Sequence, residues 1–150
     1  MTRQAGGPCP WAVTLGVCGL FPFVSLAAML CLARPGDWPL ASLALLGYGA
    51  TIASFLGAIH WGLVMRDGAR ESAPSLIWGV APSLMGWLAL LLSHAMGLLL
   101  IAALLWACFA MDRVLYPRHQ LQAWFPMRLT LTVVASLSCV AGALALLYRT

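Results

Sequence analysis

Lysine is absent from this chain, and acidic residues number only four in 150 positions. With 8% charged and 63% hydrophobic residues and a mean hydropathy of +0.94, the chain cannot cover itself with a solvated surface. That excludes an ordinary water-soluble domain and implies an integral membrane protein. The net charge of +4 rests on eight arginines and is too sparse for a nucleic-acid surface, though it suits loops facing anionic lipid headgroups. Membrane lipids are therefore the expected partners, with a membrane-protein partner or a second copy of the chain as the other possibility, and no nucleic acid.

Catalytic signatures are missing as well. No G-x-S-x-G, H-E-x-x-H, P-loop or dinucleotide fingerprint occurs, and no pair of acids lies inside an apolar run. Ser54 and His60 are six positions apart, on different faces of any helix, so they do not form a nucleophile and base. The five cysteines have no C-x-x-C spacing, and four lie in apolar runs as small hydrophobes, without a disulfide framework or zinc site. His94 is expected across the membrane from His60, which argues against a shared haem. No cofactor, metal or enzymatic activity is expected.

What is present is a succession of apolar runs. At about 20 residues per crossing, the length accommodates five spans and no separate soluble domain. The predicted architecture is an all-α integral membrane protein, a single domain over 1–150 with a compact bundle of helices at about 11–33, 39–65, 75–93, 95–115 and 126–148. The first run is too long for the h-region of a signal peptide and is read as a retained helix. Pro22 and Pro82 predict kinks, which membrane helices tolerate when neighbours satisfy the freed carbonyls. Arg34–Pro39 reads as a tight turn, Arg66–Ser72 as a solvated loop, and Ser93-His94 as a turn so short that its two helices must be antiparallel neighbours.

The second span is the expected packing centre. Gly49, Ala53 and Gly57 share a helical stripe with His60, while Ala50, Ser54, Ala58 and Gly62 form a second stripe beside it. Small residues let helix backbones approach closely, so this face is predicted to pack against protein. Tyr48, Ile52, Phe55, Leu56, Ile59 and Leu63 are assigned to the lipid side.

Arginines set the orientation. In a five-span arrangement Arg3, Arg66, Arg70, Arg113, Arg118 and Arg128 fall on the N-terminal side, and only Arg34 and Arg149 fall opposite. The positive-inside rule then puts the N-terminus in the cytoplasm and the C-terminus outside, with a bacterial inner membrane as the expected location. Trp11, Trp38, Trp124 and Tyr148 suit interfacial belts, whereas Trp61, Trp78, Trp87 and Trp106 lie deeper, Trp61 beside His60.

Five separated blocks carry a family resemblance. Leu15-Gly16-x-x-Gly19-Leu20-x-Pro22-Phe23, Ser54-Phe55-Leu56-Gly57-x-x-His60-Trp61-Gly62, Pro82-Ser83-Leu84 with Trp87, Asp112, and Trp124-Phe125-x-x-Arg128-Leu129-x-Leu131-Thr132 occur in this order. Together they resemble the transmembrane protein 69-like family of small multi-span proteins, bacterial and mitochondrial, with Trp124-Phe125 where an aromatic pair ending in Tyr is expected. The resemblance implies the membrane architecture and a domain of unknown function, and brings no catalytic residue or cofactor.

One constellation has chemical content: His60, Asp112 and Arg128, joined by Arg113, all in the half of the membrane that bears most arginines. Ionisable groups inside a membrane cost at least ~2.5 kcal/mol at the centre, so they mark function or are paired as packing glue. Imidazoles as a class change charge near neutrality, and one beside a carboxylate can relay protons. The leading expectation is a non-enzymatic bundle acting as scaffold or assembly partner, with His60 hydrogen-bonded as glue. The alternative is a small carrier or ligand- or proton-binding protein using the His60, Asp112 and Arg128 cluster.

Overall fold

The computed structural model describes residues 7–32, 38–67 and 72–148. Among these residues six α-helices follow one another: α1 (Pro10–Cys18), α2 (Phe21–Leu32), α3 (Trp38–Asp67), α4 (Ser72–Leu91), α5 (His94–Leu115) and α6 (Phe125–Leu147). Two short 3-10 turns, Tyr116–His119 and Gln122–Trp124, join the last pair. With α1 and α2 taken as one unit, five segments are long and apolar enough to cross a membrane, and no strand occurs among the described residues. Most of the turn expected at Arg34–Pro39 and of the loop at Arg66–Ser72 lies outside the described residues.

The first span is broken where a kink was expected. Pro22 has no N–H to offer the Cys18 carbonyl, which removes one bond of the helical ladder at this turn. The Gly19 N–H still reaches the Leu15 carbonyl at 2.9 Å, the Leu20 N–H closes a tighter turn on Val17 at 3.0 Å, and the Val24 N–H resumes the helix on Leu20. Tyr48 of α3 donates to the Gly19 carbonyl at 2.8 Å, satisfying backbone at the break from a neighbouring helix. The upper half, α1, buries none of its residues, whereas α2 buries Phe23, Ala27 and Leu30. Pro82 behaves differently. Helix α4 runs through it without interruption, with the Pro82 ring buried against Gly57 of α3.

Helix α3 is the centre of the bundle, packing on α2, α4, α5 and α6. Each residue turns the helix by about 100°, and buried positions map onto one arc. Gly49, Ala53, Gly57 and His60 are buried on it. From Gly49 to His60 the net drift is only about 20°, which keeps that stripe on one face.

The second stripe does not hold. Steps of four residues drift by about 40° each, so Gly62 lies about 120° around from Ala50. Ala50 is buried, Ser54 is half-buried and returns its hydroxyl to the Ala50 carbonyl at 2.9 Å, while Ala58 and Gly62 face outward. Nothing lies within 4 Å of the place a Gly62 methyl would occupy. Leu56 and Leu63, assigned to lipid, are buried because they close the other edge of the inward arc. Tyr48, Ile52 and Ile59 are half-buried there, and only Phe55 of that group is fully outward.

The α3–α4 seam is closed by small residues on both sides. A methyl at Gly57 would overlap the Gly79 carbonyl oxygen, and one at Gly86 would fall 3.2 Å from the Ala50 backbone. Trp61, 43% exposed, lies across Gly79 and donates its indole N–H to the Leu76 carbonyl at 3.1 Å. It therefore fastens α3 to α4 and does not wall a pocket at His60. At the opposite end of the bundle the Ser42 hydroxyl lies 2.6 Å from His94 Nδ1 and 3.1 Å from the Pro39 carbonyl, tying the starts of α3 and α5 together.

Candidate functional site

The polar cluster forms where three helix ends meet. Asp112 lies in the last turn of α5, Arg128 in the first turn of α6, and His60 about two turns before the end of α3. Asp112 is 1% exposed, His60 1% and Arg128 7%. Arg128 donates from both Nε, at 2.8 Å, and Nη2, at 2.5 Å, to the same oxygen, Asp112 Oδ2. The other oxygen, Oδ1, faces His60 Nε2 at 3.7 Å, which is too long for a hydrogen bond. Three of the four sequence-predicted residues thus come together. Arg113 does not: the next residue on the helix is turned by about 100°, and its side chain is exposed.

A buried ion pair costs desolvation that its attraction only partly repays, and losing one partner is far more costly than losing both. Asp112 and Arg128 therefore depend on each other. Tyr116, 4% exposed and stacked on Phe125 with ring centroids 5.7 Å apart, packs beside them and closes the end of the cluster. Neither His60 ring nitrogen has a hydrogen-bond partner, so the structure does not supply the bond that a purely adhesive histidine would make.

Next to the cluster lies a cavity of about 410 Å³, bounded by α1, α2, α3, α5 and α6. Its walls are apolar, among them Leu20, Phe23, Ile59 and Leu105, and polar groups enter at one end through Arg128, Thr132 and Tyr116. Leu15 and Phe55, both strongly exposed, also line it, so the mouth opens on the surface that meets lipid. The size falls in the range of pockets that take small organic molecules. The broken first helix explains why there is room. Helix α1 lies against α6 without burying any residue, and the gap behind it is left unfilled.

Thr132 is the residue that sequence reasoning missed as part of the site, naming it within a family block and as a packing position of the last helix. It stands four positions after Arg128, on the same helical face, and is 2% exposed. Thr14, Thr51, Ser54, Thr130 and Ser138 all return their hydroxyls to the carbonyl four residues back. Thr132 does not, and its buried Oγ1 has no partner. The available signal was its spacing from Arg128. Trp124, assigned to an interfacial belt, also lines the cavity. Among the described residues no three His, Cys, Asp or Glu side chains converge as a metal-ligand set.

Five spanning segments around a buried ion pair define a multi-pass integral membrane protein of the all-α class. The chain belongs to the family described as protein of unknown function (DUF3429), whose profile matches residues 9–144. It is similar to transmembrane protein 69 of Xenopus tropicalis, with 34% identity over 136 residues covering 87% of this chain and 53% of that protein. The mouse protein of the same name, from Mus musculus, is 26% identical over 143 residues, covering 93% of this chain and 58% of its own. The chain thus spans little more than half the length of these relatives. No solved structure matches it.

Proposed function

We infer that this protein binds a small lipophilic molecule in the cavity between α1, α3 and α6, without catalysing a reaction on it. The observation that carries this reading is the apolar cavity ending at Thr132, whose buried hydroxyl has no partner, beside the Asp112–Arg128 pair. A scaffold or assembly partner, the leading expectation from sequence, needs a stable bundle and an adhesive surface but no cavity. Ligand binding was the alternative, and the geometry favours it. The excess of arginines at one end supports an orientation with the N-terminus in the cytoplasm, the C-terminus outside and the cluster in the cytoplasmic half of a bacterial inner membrane. Reporter fusions after Arg70, His94, Arg118 and Thr150 should then report cytoplasm, outside, cytoplasm and outside.

Native mass spectrometry of protein extracted in mild detergent tests the binding reading. A discrete small-molecule adduct is expected on the natural chain and not on Ala12→Trp, which fills the cavity from the loosely packed α1. Ala12 lines the cavity and is only half-buried, so the larger side chain has space to enter it. Identical adduct patterns for two equally folded proteins would contradict the reading.

A further inference from the structure

The cavity's polar end has a definite electrical character, and that character selects among ligands. Asp112 compensates the charge of Arg128 through two N–H donors that converge on one carboxylate oxygen. A guanidinium has five N–H donors; two go to Asp112 and a third to the Tyr116 side chain, which leaves two. The surroundings are apolar, and charges interact strongly there. An anionic ligand would add a second negative charge beside Asp112 with no second cation among the lining residues. A cationic ligand would meet Arg128. An uncharged ligand meets neither penalty.

Hydrogen-bonding capacity narrows the class further. The donors at this end include the remaining Arg128 N–H groups and the Thr132 hydroxyl, one helical turn away on the same face. Donors left unpaired in an apolar site cost free energy, and a ligand oxygen with two lone pairs satisfies both at once. Beyond this end the walls are hydrocarbon, and the mouth at Leu15 and Phe55 faces the lipid side. A molecule dissolved in the bilayer can enter there without crossing water.

We propose that the cavity holds an uncharged carbonyl-bearing lipid, its carbonyl oxygen accepting from Arg128 and Thr132 and its apolar body lying along α2 and α3. Two membrane sources share this chemistry, the ring carbonyl of an isoprenoid quinone and the ester carbonyl of a neutral acylglycerol. The proposal rests on the ligand-binding reading above and specifies the ligand for that same cavity.

The test uses the full chain in detergent micelles and three probes: a short-chain isoprenoid quinone, a monoacylglycerol and a fatty acid at a pH where it is ionised. Binding is measured by equilibrium dialysis against protein-free micelles, with Ala12→Trp as the measure of association outside the cavity. At least one neutral probe should bind the natural chain above that background, and whichever does identifies the source. Thr132→Val keeps the shape of the side chain and removes its hydroxyl, and should weaken that probe by about three- to tenfold. Thr132→Ser restores the hydroxyl and should restore binding. Preference for the ionised fatty acid, or equal binding of the neutral probe to Thr132→Val, overturns the carbonyl proposal and leaves the ligand-binding reading standing. Binding of all three probes equal to that of Ala12→Trp overturns both.

Discussion

The two sides of α3 are built on opposite principles. Towards α4, Gly57 faces Gly79 and Ala50 faces Gly86, so the backbones meet with no space between them. Towards α1 and α6, the span opposite is broken at Gly19-Leu20 and the half-helix α1 stands off, leaving about 410 Å³ behind it. Without a hydrophobic drive between helices in lipid, tight association comes from close packing of small residues, and the seam has them on both partners. The cavity side has Ile52, Leu56 and Ile59 facing a first span that is interrupted between Cys18 and Phe21. One side of the same helix is solid and the other is hollow.

The largest disruption should come from the ion pair that closes the hollow side. Asp112→Asn leaves the Arg128 charge buried without compensation and should cost about 3 to 5 kcal/mol, read as a fall in thermal stability in detergent. Removing Arg128 as well, in Asp112→Asn with Arg128→Met, should recover part of that loss, because the uncompensated charge is gone. A double variant less stable than the sum of the two single losses would show that the pair is not the reason for either.

The seam and the hollow side can then be compared directly through two glycines. Gly57→Ala sets a methyl against the Gly79 carbonyl, backbone that cannot yield, and should cost about 1 to 3 kcal/mol. Gly16→Ala sets its methyl 2.5 Å from Met127 Cε, the tip of a flexible side chain beside open space, and should be close to neutral. Ala58→Leu, on the outward face, should also be near neutral. Equal losses at Gly57 and Gly16 would erase the distinction between the two sides.

A smaller effect is expected at His60. With Nε2 3.7 Å from Asp112 and no hydrogen bond formed, His60→Gln should change stability by less than about 1 kcal/mol. A loss of several kcal/mol in the melting of that variant would show that the imidazole holds the cluster together. A small gain is expected at Gln120. It adopts a left-handed conformation, φ 58°, where the Leu121 N–H bonds the Tyr116 carbonyl at 2.9 Å and the Gln120 N–H the Pro117 carbonyl, a Schellman closure. Gln120→Gly should raise stability by about 0.5 to 1 kcal/mol and leave both sides of α3 unchanged.

The spans were legible in the sequence because apolar runs of membrane length leave little choice, and the observed helices begin and end within a few residues of those expected. The cluster was legible too, since His60, Asp112 and Arg128 are the ionisable groups that the topology carries inward. What could not be read was how far a stripe holds its face. Ala58 and Gly62 looked like packing positions by residue type, and only the drift of about 40° per four residues turns them out to lipid. The cavity was less accessible still, because it arises from a misfit between a broken helix and its neighbours, and no single residue records it. Arg113 was included by adjacency to Asp112, which on a helix means the wrong face.

The most direct measurement is photolabelling of the protein in bilayers with a small apolar diazirine, followed by mapping of the labelled residues. The account predicts label on exposed residues throughout and also on Leu105 and Ala135, which are buried yet line the cavity, while buried Ala53 and Ala89 remain unlabelled. Label confined to exposed positions, with Leu105 and Ala135 as protected as Ala53, would contradict a cavity open to the membrane.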